Sequence, residues 1–299
     1  MTIEQDAQAT ATAGPPKQRR RLKSRVLTRL VRNKTAMASI ITIVLLTLIA
    51  IFGPLLVPYD PNAVSLANRL MGPSGAHWLG TDELGRDVLS RLIVATRVDL
   101  LASAQAVGIA LAIGVPLGII AGYFGGVTDA LMSRVIDALM TLPPLILAIV
   151  VVAILGPGLQ NAMLAIAILI IPSFYRIVRA STESARSELY VESARASGCS
   201  NWRILWRHIL PAVLPPLLVQ ASFSASVVIV AEASLSFLGL GAQAPQATWG
   251  LMLSEASSSL TTSSYLIYPP TIMVAITILA FSLLGDGLRD ALGRQTTDG

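Results

Sequence analysis

The chain has 299 residues, of which 54% are hydrophobic and 13% charged, and its mean hydropathy is +0.68. Soluble domains carry about 25% charged residues, so this balance excludes an ordinary water-soluble fold and makes lipid the expected solvent. The formal charge of +5 and the pI near 9.7 would suggest nucleic acid in a soluble protein; here the basic residues flank apolar runs, where anionic headgroups are the natural partner, and no nucleic-acid role is expected.

Residues 1–36 hold nine of the 22 Lys and Arg residues and read as a basic cytoplasmic tail, with the polar Met1–Pro16 stretch disordered. The charge-free run Met37–Leu56 is longer than the ~7–15-residue apolar region of a cleaved signal peptide, so it reads as a retained span. A spanning helix needs about 20 mostly apolar residues, because a ~30 Å hydrocarbon core is crossed at ~1.5 Å per residue. Six spans are expected on that measure, at 37–56, 102–123, 136–155, 161–179, 212–233 and 266–284, within one all-α transmembrane domain over 37–288. The fourth accommodates Arg176 and Arg179 by snorkelling, the fifth carries Gln220, and the sixth opens on Pro269 and Pro270. Residues 289–299 form a second tail.

With the N-terminus inside, 18 of the 22 basic residues fall on cytoplasmic segments, and only Arg69, Arg86, Arg91 and Arg97 fall outside. Lys and Arg are retained inside far more often than translocated, so both termini are expected in the cytoplasm of a bacterial cell whose inner membrane the chain crosses repeatedly. The outside segment 57–99 begins with turn formers, Tyr59-Asp60-Pro61-Asn62 and Gly72-Pro73-Ser74-Gly75, and continues into Asp82–Arg97, which has the charge density of a solvated helix. The longest inner connection is 180–211.

Several chemistries find no residues to carry them. A P-loop needs Gly-Lys-Ser/Thr, and none of the three lysines, Lys17, Lys23 and Lys34, follows a glycine. His77 and His208 fall on opposite sides of the membrane in this topology, so no paired zinc site is expected. The single Cys199 allows no intrachain disulfide. Asp137, Glu232 and Asp286 lie near span ends, where interfacial or interhelical hydrogen bonding accounts for them without a proton relay.

The connection from Tyr190 to Pro211 has a definite design. Glu188–Ser197 contains good helix formers, Gly198 supplies a left-handed cap, and Asn201 is placed to cap a second amphipathic helix that Pro211 ends. A short rigid helix protruding from the membrane transmits the motion of a partner, whereas a floppy loop absorbs it.

Glu192-Ser193-Ala194 with Arg195, then Gly198, then Leu210-Pro211, resembles the E-A-A…G…L-P signature of ATP-binding-cassette importer permeases, with Ser193 standing where the pattern has alanine. Four further stretches, His77–Arg91, Ala231–Gly241, Trp249–Leu253 and Leu284–Leu292, resemble the C-type subunit of dipeptide and oligopeptide permeases. The similarity runs from about Arg32 to Leu292 and departs from the pattern at Ala95-Thr96-Arg97 and Val98-Asp99. It implies a type I importer permease fold and a non-catalytic subunit. The implied partners are a homologous second permease, ATPase subunits that bind ATP and magnesium, and an extracytoplasmic solute-binding protein; the chain itself holds no cofactor or metal. The resemblance also makes Glu192–Gly198 the coupling helix.

Gln220 and Ser224 share one face of the fifth span and Ser222 and Ser226 a neighbouring one, so they are candidates for lining a peptide pathway, with helix packing through small hydroxyl residues as the alternative. Thr81, Asp82, Glu83, Arg86, Asp87 and Arg91 are candidates for contacting the binding protein, with a solvated charged helix as the alternative. Peptide import is the expected function. The same machine carrying nickel or its chelates, glutathione or haem is the near rival, and an ATP-independent channel or receptor the distant one.

Overall fold

The computed structural model describes Leu30 and residues 33–293, and the tails expected at 1–36 and 289–299 lie largely outside the described residues. These residues form nine α-helices, long or short, and two single-turn 3-10 helices, Leu66–Asn68 and Ser264–Ile267, with an isolated bridge between Thr81 and Asp87 in place of any sheet. The first helix, α1 (Lys34–Leu56), is capped by Asn33, whose side chain accepts from the Thr35 and Ala36 amides. Its small residues face inward: a Cβ on Gly53 would lie 2.5 Å from Ile93, and Ala36 lies against Gly287. Most of its large ones, including Leu45, Leu48 and Phe52, are exposed, as lipid contact requires, while Leu46 is buried.

The longest uninterrupted α-helix, α2 (Val88–Phe124), is 37 residues, several turns more than a bilayer needs, and Asp87 caps it by accepting from the Ser90 amide. Gly125, at φ +66°, stops it and starts α3 (Gly126–Leu139). The segment expected as a span over 136–155 contains a break: α3 and α4 (Pro144–Leu155) meet at 89°. The cause is Pro143-Pro144, since each proline removes an amide donor and excludes the helical conformation from the residue before it. Pro143 accordingly has φ −55° and ψ 132°.

The fifth helix, α5 (Leu159–Arg186), packs along α2 through a glycine ladder. Gly114, Gly118 and Gly122 recur at every fourth position of α2, and a Cβ built on them would stand 2.9 Å from Phe174, 2.8 Å from the Tyr175 carbonyl and 2.6 Å from the Arg179 carbonyl. Small residues at this spacing let two backbones approach where no hydrophobic force drives helices together in lipid. The short α6 (Leu189–Ala196) follows, and then α7. The latter begins at Asn201, passes through one π turn at Leu205–Ile209, and continues without a stop to Phe237. Pro211 therefore does not end a second helix. The preceding π turn, in which the Leu210 amide bonds the Leu205 carbonyl, shifts the hydrogen-bond register so that the helix absorbs a residue with no donor of its own. After a loop come α8 (Trp249–Ser258) and α9 (Tyr268–Gly293), which lies against α1 and α7.

The bundle has two distinct ends. One carries residues 57–87 and α8; the other carries α6 and the first turns of α7.

Candidate coupling and translocation sites

At its own end of the bundle α6 is an exposed helix on a buried footing. Val191, Ile204 and Ile209 are fully buried in the main core, and Ala194, Cys199 and Leu205 pack against it. Glu192, Ser193, Arg195 and Gly198 face outward. The turn after α6 is a complete Schellman motif: the Cys199 amide donates to the Ala194 carbonyl at 3.1 Å, the Gly198 amide to the Arg195 carbonyl at 3.0 Å, and Gly198 takes φ +75°. Ser193, at the position where the resemblance has alanine, gives its hydroxyl to the Leu189 carbonyl at 2.8 Å, so it presents a small surface with its donor already satisfied.

Asn201 does not cap α7 with its side chain. It starts the helix after Ser200 and accepts instead from the Tyr123 hydroxyl at 2.8 Å, while the Arg195 guanidinium lies 5.7 Å from the centre of the Tyr123 ring. Tyr123 sits at the last turn of α2, so the α6–α7 elbow is tied to the helix that runs the full length of the bundle. Leu210 is half-buried and Pro211 exposed, both on the continuous α7.

Two arginines expected to snorkel have carboxylate partners. Arg179 grips Asp129 of α3 with two nitrogens, one at 2.6 Å, and Arg176 pairs with Asp137 at 2.8 Å. These pairs hold the amphipathic α3 against α5.

Of the pathway candidates, Ser222, Ser224 and Ser226 are buried within the chain, and Gln220 is half-buried and donates to Ser224 at 3.2 Å. Ser226 donates to the Ile278 carbonyl and accepts from Ser282, both on α9, and Ser222 bonds back to Leu218. Ser226 thus ties two helices of one chain, the packing role that was the alternative for it.

At the other end, most of the segment Thr81–Arg91 is buried, with Leu84 exposed and Glu83 half-buried. Thr81, Asp82, Arg86, Asp87 and Arg91 are buried, and the charges of Asp82, Arg86 and Arg91 meet one another and a distant acid. Arg86 bonds Asp82 at 2.6 Å and Glu255 of α8 at 3.0 Å; Arg91 reaches the other Glu255 oxygen at 3.1 Å. Burial acts to lower the Arg86 pKa, but the charges of Glu255 and Asp82 outweigh it and hold it above the usual arginine value. Asp87 accepts from or pairs with His77 at 2.9 Å, and Glu83 bonds Ser259. The expectation of a solvated helix over Asp82–Arg97 is corrected accordingly: residues 81–87 form a tight turn, the helix starts at Val88, and Asp82, Arg86, Asp87 and Arg91 are buried, while Arg97 is exposed.

Glu255 was not singled out from sequence, although it is the one charged residue between Glu232 and Asp286 and so the one partner that stretch offers. Asp99, noted only as a departure from the family pattern, accepts from the Trp249 amide at 2.9 Å and so fixes the first turn of α8 to α2. Glu232 is buried and accepts from Ser236 at 2.7 Å.

Among the described residues five helices are long and apolar enough to cross a bilayer, or six when the bent α3–α4 pair is counted as one span, which defines a polytopic helical membrane protein. Its fold is that of importer permeases. A chain of the inward-facing MetNI methionine ABC transporter superposes with a TM-score of 0.54 at 18% identity, covering 67% of this chain and 96% of that one, and a second crystal form gives 0.52 at 19%. The chain belongs to the family of binding-protein-dependent transport system inner membrane components, which it matches over residues 114–298, and residues 22–73 match the N-terminal transmembrane domain of oligopeptide transport permease C. Among its relatives are the dipeptide transport system permease protein DppC of Alkalihalophilus pseudofirmus, 44% identical over 87% of this chain and 86% of the relative, and the glutathione transport system permease protein GsiD of Pectobacterium atrosepticum, 44% identical over 88% of each. A probable D,D-dipeptide transport system permease protein, DdpC of Escherichia coli, is 40% identical over 96% of each.

Proposed function

We propose that this chain is one of two homologous membrane subunits of an ATP-driven importer of short peptides, itself non-catalytic. In this reading α6 docks on an ATPase subunit, which holds the ATP and magnesium, and a solute-binding protein delivers cargo to the end that carries α8. That places α6 and both termini in the cytoplasm, as the distribution of basic residues favours. The observation that carries the reading is the α6 elbow: an exposed helix, closed by a Schellman turn, footed on buried Val191 and tied to α2 through Tyr123. Such an element moves as a unit with whatever seats it. When ATP draws the ATPases together, the displacement passes from α6 into α2 and, through the glycine ladder, into α5, so the pathway between the two permeases exchanges its open side.

Short peptides are favoured as cargo because the relatives named for dipeptides, D,D-dipeptides and glutathione share amide-linked chemistry. Glutathione is the second reading, supported by relatives as similar as those named for dipeptides. The test is uptake of labelled dipeptide into proteoliposomes holding the complete complex and its binding protein. Uptake competed by other dipeptides and not by glutathione is expected; uptake of glutathione alone would transfer the cargo, and ATP-independent uptake would refute the importer.

A further inference from the structure

We infer that the first turns of α7 form a binding surface for anionic phospholipid at the cytoplasmic leaflet, so that the coupling elbow is seated on the membrane as well as on its partner. The leaflet assignment rests on the orientation proposed above; the surface itself does not.

Its depth comes from one contact. The Tyr123 hydroxyl reaches Asn201 at 2.8 Å, so the start of α7 lies level with the last turn of α2, where the apolar run of that helix ends at the exposed Phe124. Immediately after Asn201 come Trp202 and Trp206, one turn apart, 69% and 57% exposed, with rings edge-to-face at 5.6 Å. Indole is the side chain best suited to the headgroup layer, apolar in its body and polar at one edge. On the adjoining face Arg203 and Arg207 repeat the same spacing, are exposed, and take part in none of the ion pairs among the described residues. Further along the same helix Leu214 and Leu218 are exposed, as contact with acyl chains requires. Indoles and guanidinium groups therefore share one level at the start of the helix, and the lipid-facing leucines follow them along it. A pocket on an ATPase would accommodate the indoles but gives no reason for the continuity with the span; a phosphatidylglycerol-rich surface accounts for that continuity, for the indoles and for two arginines without an ion-pair partner among the described residues.

The test uses the complete complex in native membranes with p-benzoylphenylalanine replacing Trp202 or Trp206, and a Leu48 replacement as the lipid-facing control. After irradiation, phospholipid adducts at 202 and 206 are expected by mass spectrometry, at yields comparable with position 48. Adducts to an ATPase or permease subunit alone, or none to phospholipid while position 48 gives them, overturn the inference. These adducts are read on the chain itself, so the outcome stands whether or not an ATPase co-purifies. As a second measure, in nanodiscs with and without phosphatidylglycerol, Arg203→Gln and Arg207→Gln should each weaken phosphatidylglycerol binding roughly fivefold; unchanged binding in the double variant contradicts the role given to the arginines.

Discussion

Gly198 offers the most discriminating perturbation of the coupling elbow. Its φ of +75° lies in the left-handed region, which costs an ordinary L-residue about 1–2 kcal/mol, while asparagine tolerates it better. Among the described residues, apart from its two chain neighbours, no atom lies within 4 Å of where its Cβ would be. The chain itself therefore charges each substitution only for backbone conformation, and the cost is nearly independent of side-chain size. A loss of 1–2 kcal/mol in the closed turn lowers a docking equilibrium by no more than about 5–30-fold. In the series Gly198→Asn, Gly198→Ala and Gly198→Trp, asparagine should be mildest and alanine intermediate. Tryptophan should abolish transport altogether, because the side chain enters the space of the docked partner. The assay is peptide uptake with peptide-stimulated ATP hydrolysis, alongside membrane content of the variant. A tryptophan variant that couples as well as the alanine variant would refute the claim that this turn faces a partner.

Glu255→Ala should destabilise the complex by about 3 kcal/mol, the lower end for breaking a buried ion pair since the Glu255 side chain is 25% exposed; a thermal melt in detergent reads it, and no shift would mean the arginines are otherwise satisfied. Gly118→Leu should prevent α2 and α5 from closing, at a cost of 1–3 kcal/mol or more and with loss of assembled complex. Gly108→Ala on the same helix, where a Cβ meets nothing within 4 Å, should be silent, and equal effects of the two would refute the ladder. Asp129→Arg or Arg179→Asp alone should weaken the packing of α3 by about 1–2 kcal/mol, and the exchange of both should recover most of it, measured as protease resistance of the α3–α4 bend.

The apolar spans were legible because their signal is local: a continuous run such as Met37–Leu56 declares its solvent without reference to the rest of the chain. Gly198 was legible for the same reason, as a left-handed cap between two helical patterns. The bend at Pro143-Pro144 was written in the letters but hidden by hydropathy, which scores the surrounding 136–155 window as uniformly apolar. The misread feature was the solvated helix expected over Asp82–Arg97. Charge density there indicates water only when the charges lack partners, and Glu255 lies 164 residues beyond Arg91, out of reach of any local pattern. The tie from Ser226 to Ser282 is likewise out of reach of a local pattern, since the two lie 56 residues apart. The four-residue glycine spacing of α2 carried a packing signal that hydropathy alone does not register.

The central claim is that this chain converts ATP hydrolysis by partner subunits into peptide import through the α6 elbow. It is tested most directly by co-expressing the chain with the genes adjoining it, purifying the complex in mild detergent, and measuring ATP hydrolysis with and without peptide-loaded binding protein. Co-purifying ATPases whose turnover rises with the loaded binding protein, and no longer does so when Gly198→Trp is introduced, is the predicted result. A chain that purifies with no ATPase, or an ATPase indifferent to both the loaded binding protein and that substitution, would contradict it.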